Sequence, residues 1–137
     1  MGTVIIDAGV LIGFRNPHDA HHEAARVEFA GARRRHDVVA IPASAFAEYL
    51  VHPAKAGSAA VARAFDFVRR LPVEIVAFDE TLAAEAALLR SERPELRMPD
   101  AMVIATARLR SADVLITTDH RWPSKRALKF AGKLVVL

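Results

Sequence analysis

Short apolar segments rich in β-branched residues alternate along the chain with longer segments of helical periodicity. The short segments are so uniformly apolar that they predict strands buried on both faces of a sheet. These strands are TVII (3–6), VVAI (38–41), VEIVAF (73–78), VLIT (114–117) and KLVVL (133–137). The helices predicted between them cover residues 18–35, 43–50, 58–71, 80–93 and 99–112.

The alternation of strands and helices predicts an α/β fold with a central, mostly parallel sheet of about five strands. No linker, repeat or low-complexity segment divides the 137 residues, so we expect a single domain over 1–137. The helix that begins at Pro99 is apolar nearly all round. We therefore expect it to be packed between the sheet and its neighbours rather than lying on the surface.

Composition narrows the class of protein. Hydrophobic residues make up 53% of the chain and charged residues 26%, as in ordinary globular domains. No apolar run approaches the roughly 20 residues needed to cross a bilayer, and MGTVIID does not have the basic start of a signal peptide. The absence of cysteine excludes disulfides, thiolate metal sites and cysteine nucleophiles. We expect a cytoplasmic protein with no membrane partner.

The formal net charge is +3, and most of the cationic residues are arginines. Arginine binds phosphate bidentately, although a high arginine content is only weak evidence for a nucleic-acid partner. The segment ARRRH (32–36) has two interpretations: a solvated helix end, where cations favour the helix dipole, or a nucleic-acid patch. The first interpretation is the simpler one.

Four acidic residues lie just after predicted strands or in the helices that connect them. Asp7 follows the first strand and Asp119 the fourth, while Glu48 lies in the helix after the second strand and Asp100 opens the helix before the fourth. Sites in parallel sheets form beyond the carboxyl ends of the strands. If the first and fourth strands are neighbours, all four acids meet at one edge of the sheet.

Each acid also has an ordinary structural explanation. Asp7 and Asp119 suit turns or helix caps, Glu48 suits the polar face of a helix, and Asp100 suits a first turn beside Pro99. Together, however, four neighbouring carboxylates would repel one another unless a cation neutralised them. A cluster with oxygen ligands alone is typical of Mg²⁺ or Mn²⁺.

Four segments, IIDAGVLIG, ASAFAEYL, MPDAMVIATA and LITTDHRW, occur in an order and spacing that resemble the PIN-domain ribonucleases. More narrowly, the whole chain is similar to the VapC toxins of bacterial type II toxin–antitoxin systems. The resemblance implies a three-layer α/β/α fold in which Asp7, Glu48, Asp100 and Asp119 are catalytic residues that hold the metal. It also implies that the Thr117 hydroxyl orients an acid or a water molecule.

By this resemblance the protein is the toxin of a toxin–antitoxin pair and a Mg²⁺- or Mn²⁺-dependent endoribonuclease. Its products would carry 5′-phosphate and 3′-hydroxyl ends, because water attacks the phosphodiester. The implied partners are RNA, a second copy of the chain in a homodimer, and a VapB-type antitoxin whose C-terminal segment lies in a groove near the acidic site. The Ala-rich helices 43–54 and 58–71 offer surfaces for close helix–helix contact. The alternatives are a PIN-like domain without a toxin role, in RNA processing or non-catalytic binding, and an aspartyl-nucleophile phosphatase.

Gly9 departs from the family, which usually has Ser or Asn two residues after the first acid. Its lack of a side chain predicts weaker metal binding or a slower reaction. The same residue disfavours the phosphatase, whose chemistry generally requires a second acid at this position.

Three other features are given structural interpretations. We assign no zinc site to His18, His21 and His22, because no HExxH order is present. Trp122 is expected to pack on the core, and Ser44 to provide a hydroxyl near the site rather than a nucleophile.

Overall fold

The computed structural model describes all 137 residues and contains five strands and six helices. The strands are β1 (Thr3–Ile6), β2 (Val38–Pro42), β3 (Val73–Val76), β4 (Val114–Thr117) and β5 (Lys133–Val136). The helices are α1 (Ala8–Arg15), α2 (His22–Arg35), α3 (Ala43–Lys55), α4 (Ser58–Arg69), α5 (Glu80–Glu92) and α6 (Met98–Leu109).

All five strands form one parallel sheet in the order β3-β2-β1-β4-β5. The first strand lies at its centre, with Val4 opposite Val39 of β2 on one side and Val114 of β4 on the other. The first and fourth strands are therefore neighbours, which meets the condition for the acids that follow them to lie at one edge of the sheet. The sheet with its six helices has the predicted three-layer α/β/α arrangement.

Burial differs between the centre and the edges of the sheet. Val4, Ile5 and Ile6 of β1 are all buried, so both faces of the central strand are covered. The prediction of two buried faces is wrong for the edge strands: Glu74 in β3 and Lys133 in β5 are exposed. An edge strand has a neighbour on one side only, and polar side chains there protect it from pairing with other chains.

The sequence pattern did not predict α1. This helix starts immediately after β1, with Asp7 as its N-cap and the arginine at its C-terminal end facing the negative pole of the helix dipole. Its glycines and β-branched residues are poor helix formers, which hides the helix from a periodicity search. The next helix begins at His22 rather than at residue 18, because Asn16 and Asp19 accept backbone N–H bonds in the preceding turns.

The other helices lie close to their predicted bounds, except that α3 continues to Lys55. Pro53 lies inside this helix and is buried on the same side as Tyr49, whose hydroxyl donates to the Ala64 carbonyl of α4 at 3.0 Å. Half of the residues of α6 are buried, and they are Ala101, Val103, Ile104, Ala105, Thr106 and Ala107. Its predicted position between the sheet and neighbouring helices is therefore confirmed.

The remaining surface features follow from these elements. The last turn of α2 contains Arg33, Arg34 and Arg35, all exposed, which is the solvated helix end that the ARRRH segment predicted. None of the six helices has the length and apolar character that a membrane crossing requires.

Candidate active site

Asp7 occupies the end of the central strand, where the chain leaves β1 and enters α1. The residue is buried, and its Oδ1 accepts the Ala8 N–H at 2.8 Å. Burial raises the pKa of Asp7 above its ordinary value, and the charges of Asp100 and Asp119 raise it further, while its hydrogen bonds lower it. A carboxylate in this position is destabilising unless a positive charge approaches it.

The Thr117 hydroxyl connects the ends of β1 and β4. It donates to Asp7 Oδ2 at 2.9 Å and accepts the Asp119 N–H at 3.0 Å. The side chain of Thr117 is fully buried. Because β1 and β4 are adjacent, this one hydroxyl bonds to both segments. It fixes the Asp7 carboxylate relative to the loop that carries Asp119.

Asp100 lies in the first turn of α6, with the proline at the start of this helix just before it. Its side chain is only 13% exposed, and Arg97 Nε lies 3.4 Å from its Oδ2. The carboxylate of Asp100 thus lies close to the positive end of the helix dipole and to one guanidinium. The buried remainder of α6 supports the position of Asp100 at the carboxyl edge of the sheet.

Asp119 follows β4 and accepts three hydrogen bonds from Arg121, one from its backbone N–H to Oδ1 at 2.9 Å and two from its guanidinium. Nε of Arg121 donates to Oδ1 at 3.0 Å and Nη2 donates to Oδ2 at 2.9 Å. The pKa of Asp119 is lowered chiefly by this guanidinium. The carboxylate is therefore ionised and already paired with a cation from its own loop.

Glu48 lies on α3, one turn after Ser44, and is the most exposed of the four acids. Desolvation raises the pKa of Glu48, as do the charges of Asp7 and Asp100, while Arg97 lowers it. Its interaction with both aspartates places it on the same edge of the sheet.

The four acids thus lie near enough to influence one another, but they do not form a finished ligand shell. No three histidine or acidic side chains are arranged at metal-binding distances. Two of the four carboxylates are paired with arginines, a feature that the sequence analysis missed. Its signal was the spacing: Arg97 precedes Asp100 by three residues, one helical turn, and Arg121 follows Asp119 by two.

Gly9 lies against Thr118, the residue between Thr117 and Asp119. A Cβ built on Gly9 would collide with the Thr118 hydroxyl and lie 3.2 Å from its Cβ. The Thr118 side chain therefore fills the space that a side chain at position 9 would need. This contact explains, in terms of packing, why glycine is compatible with this site.

We expect Gly9→Ser to destabilise the protein by about 1–3 kcal/mol, the usual cost of overpacking. Thr118→Ala should relieve the collision, so the double variant should be more stable than the two single effects predict. Urea unfolding of the four proteins measures this coupling. Additive effects in the double variant would show that the two side chains do not compete for space.

The other singled-out residues take structural positions. His22 Nδ1 lies 2.8 Å from the Gly13 carbonyl oxygen, and His21 Nδ1 lies 3.4 Å from Asp19. Trp122 is buried in the core, as predicted. The Ser44 hydroxyl is buried without a hydrogen-bond partner.

Comparison with solved structures identifies relatives of this fold. VapC20 of Mycobacterium tuberculosis, described as a sarcin–ricin loop cleaving toxin, superposes with a TM-score of 0.71 at 18% identity, covering 86% of this chain and 91% of that one. VapBC2 of Rickettsia felis, bound to a DNA fragment from its promoter, gives a TM-score of 0.72 at 14% identity and 96% coverage of both chains. A toxin–antitoxin complex of Klebsiella pneumoniae gives 0.68 at 23% identity, with 86% and 88% coverage.

These identities are low, so the superpositions establish a shared fold. Comparison with curated proteins gives no match. Comparison with protein families matches the PIN domain over residues 4–128, nearly the full length of the chain. This chain therefore belongs to the PIN domain family.

Proposed function

We propose that the protein is a divalent-metal-dependent endoribonuclease and the toxin of a VapBC-type toxin–antitoxin pair. The observation that carries the proposal is the gathering of Asp7, Glu48, Asp100 and Asp119 at the carboxyl edge of the sheet. The pKa of Asp7 is raised there by burial and by the charges of two of the others. Membership of the PIN domain family and the toxin-like fold support the same activity.

The donor set suits a hard divalent cation. All four candidate ligands are carboxylates, with no thiolate or imidazole among them, which favours Mg²⁺, with Mn²⁺ as a substitute. Such an ion would make a water molecule more acidic and neutralise charge that develops on the phosphate. It would also relieve the repulsion that Asp7 and Glu48 experience from their neighbours.

Within this site we assign distinct tasks to the residues of the chain. Asp7, Asp100 and Asp119 would hold the ion, with Glu48 as the fourth acid on the exposed side. The Thr117 hydroxyl orients the Asp7 carboxylate by its 2.9 Å hydrogen bond. We call the edge of the sheet that carries Asp7, Glu48, Asp100 and Asp119 the acidic rim.

RNA is the substrate that the charge distribution favours. Apart from the four acids, the chain has 19 cationic and 12 acidic residues, a net charge of +7. A polyanion is attracted to such a surface although the site itself is acidic.

A groove between α1, α3 and α4 is the surface to which we propose that an antitoxin binds. It encloses about 640 Å³ and is lined by apolar residues such as Ile12 and Ala60 and by the basic residues Arg15 and Arg63. This combination suits an amphipathic peptide with acidic side chains. The VapBC relatives lead us to infer a VapB-type antitoxin here, and a homodimer of the toxin.

Incubation with RNA and Mn²⁺, beside a phosphatase substrate, tests the activity. We expect endonucleolytic products with 5′-phosphate ends, complete inhibition by a chelator and no phosphate release from the phosphatase substrate. A non-catalytic binding module would retain RNA without cutting it. Phosphate release alone would favour the aspartyl-nucleophile phosphatase.

The toxin assignment needs a separate test in cells. Expression of the wild-type chain alone should stop growth, and co-expression of the adjacent small gene product from the native host should restore it. Asp7→Asn should be harmless but should still co-purify with that product. Normal growth with abundant soluble wild-type protein would contradict the toxin role while leaving the ribonuclease activity intact.

A further inference from the structure

Two arginines near the acidic rim hold carboxylates that the proposed function assigns to the metal. Arg121 engages both oxygens of Asp119, at 3.0 and 2.9 Å, and its side chain is 79% exposed. Arg97 approaches one oxygen of Asp100 at 3.4 Å and is 67% exposed. Of the two, Arg121 makes the shorter and bidentate contact.

A guanidinium and a divalent ion compete for the same lone pairs of a carboxylate. The guanidinium of Arg121 cannot be neutralised by losing a proton at any ordinary pH, so it must move to free Asp119. The Arg121 side chain is 79% exposed and the Asp119 side chain 17%, so the guanidinium can leave the carboxylate and enter water directly. The Arg121 side chain can therefore yield to an ion of higher charge.

Once displaced, the guanidinium remains at the rim. Arg121 is only two residues from Asp119 in the chain, and its charge also interacts with that of Asp100. The planar fork that fits a carboxylate also fits two oxygens of a phosphate. The groups that then need a cation at the rim are the phosphates of the bound RNA.

We propose that Arg121 is an internal counter-cation of Asp119 that is displaced when the divalent ion binds and then binds a phosphate of the RNA beside the cleaved bond. This inference rests on the proposed function and adds a residue that recognises the substrate. Arg97 has the same relation to Asp100 through a weaker contact. The Arg121 guanidinium is therefore available to bind a phosphate when the divalent ion is bound, and is paired with Asp119 when the ion is absent.

Mn²⁺ titration calorimetry without RNA tests the displacement. Arg121→Ala should bind Mn²⁺ about two- to fivefold more tightly than the wild type, the range expected when one exposed ion pair no longer competes. Arg110→Ala is the matched control: Arg110 pairs with Glu74 at 2.9 Å beyond the opposite end of α6, and its loss changes net charge equally. Unchanged or weaker Mn²⁺ binding by Arg121→Ala would overturn the displacement.

RNA kinetics at saturating Mn²⁺ test the phosphate contact. Arg121→Ala should raise KM about tenfold, the lower range for a hydrogen bond to a charged group, with a much smaller change in kcat. Arg110→Ala should leave both constants near the wild-type values. An unchanged or lower KM in Arg121→Ala would overturn the contact with RNA.

Asp7→Asn separates failure of this inference from failure of the proposed function. If wild-type Mn²⁺ affinity is the same in Asp7→Asn, the ion is not bound at the rim, and both the proposed function and the role of Arg121 are wrong. If Asp7→Asn abolishes binding and Arg121→Ala has no effect, only the role of Arg121 is wrong.

Discussion

Asp7→Asn is expected to abolish RNA cleavage and, at the same time, to make the metal-free protein more stable. Cleavage should fall by at least about 10²–10³-fold, the loss that follows removal of one electrostatic group from a catalytic site. The fold can accommodate the amide: its oxygen can accept the Ala8 N–H, and its NH₂ can donate to the Thr117 hydroxyl in place of the present bond.

The gain in stability follows from the raised pKa of Asp7. Because the folded protein holds the Asp7 proton more tightly than the unfolded chain, ionisation at neutral pH costs stability. Removing that cost is worth on the order of 1 kcal/mol, which raises Tm by about 2–4 °C in a domain of this size. The gain should be present at pH 7 and disappear as the pH falls below the ordinary value of 3.8.

Asp37→Asn is the control, because its effect on stability should be opposite to that of Asp7→Asn. Asp37 lies before β2 at the other edge of the sheet, where it accepts the Gly2 N–H at 2.8 Å and the Arg35 Nε–H at 2.7 Å. Burial works against its charge, but these donors outweigh burial and lower the pKa of Asp37. This variant should lose stability and keep its ribonuclease activity. A fall in Tm for Asp7→Asn would show that the hydrogen bonds of Asp7 as the N-cap of α1 outweigh the cost of burying its charge.

Thr117→Val should impair both the stability and the activity of the protein. The substitution keeps the shape of the side chain but leaves the buried Asp7 carboxylate and the Asp119 N–H without their shared partner. We expect a loss of about 1–3 kcal/mol at pH 7. Ribonuclease activity should fall about 10–100-fold, as when a group that orients a metal ligand is removed.

The pH dependence distinguishes this effect from a simple packing defect. The Thr117 hydroxyl lowers the pKa of Asp7, so its removal raises that pKa further. The loss of stability should be largest above the raised pKa and should shrink as the pH falls through it. Thr106→Val is the control, because the fully buried Thr106 hydroxyl bonds only to the Met102 carbonyl. An equal pH dependence in both variants would contradict this coupling.

The parts of the fold that depend on local pattern were predictable from the sequence. Uniformly apolar strands and amphipathic helices indicated the layers, and the acids after β1 and β4 indicated the important edge. The short α1 was not predicted, because its residues have poor helix propensity and its stability comes from packing and from Asp7 at its start. The exposed edges of β3 and β5 escaped because strand order, which is a tertiary property, decides which strands have two neighbours.

The same limit applies to the candidate site. The identities of the four acids were available from motifs, whereas the arginine contacts depend on the directions of long, flexible side chains. The collision between Gly9 and Thr118 likewise joins two segments that are distant in sequence and meet only because β1 and β4 pair.

Anomalous diffraction from crystals grown with Mn²⁺ tests most directly whether the acidic rim is a metal site. We predict an anomalous peak bounded by the carboxylates of Asp7 and Asp100, with the Arg121 guanidinium moved away from Asp119, and no such peak in crystals of Asp7→Asn. Full Mn²⁺ occupancy elsewhere, for example at His18 and His21, with none between the four acids would contradict the proposed metal-dependent ribonuclease.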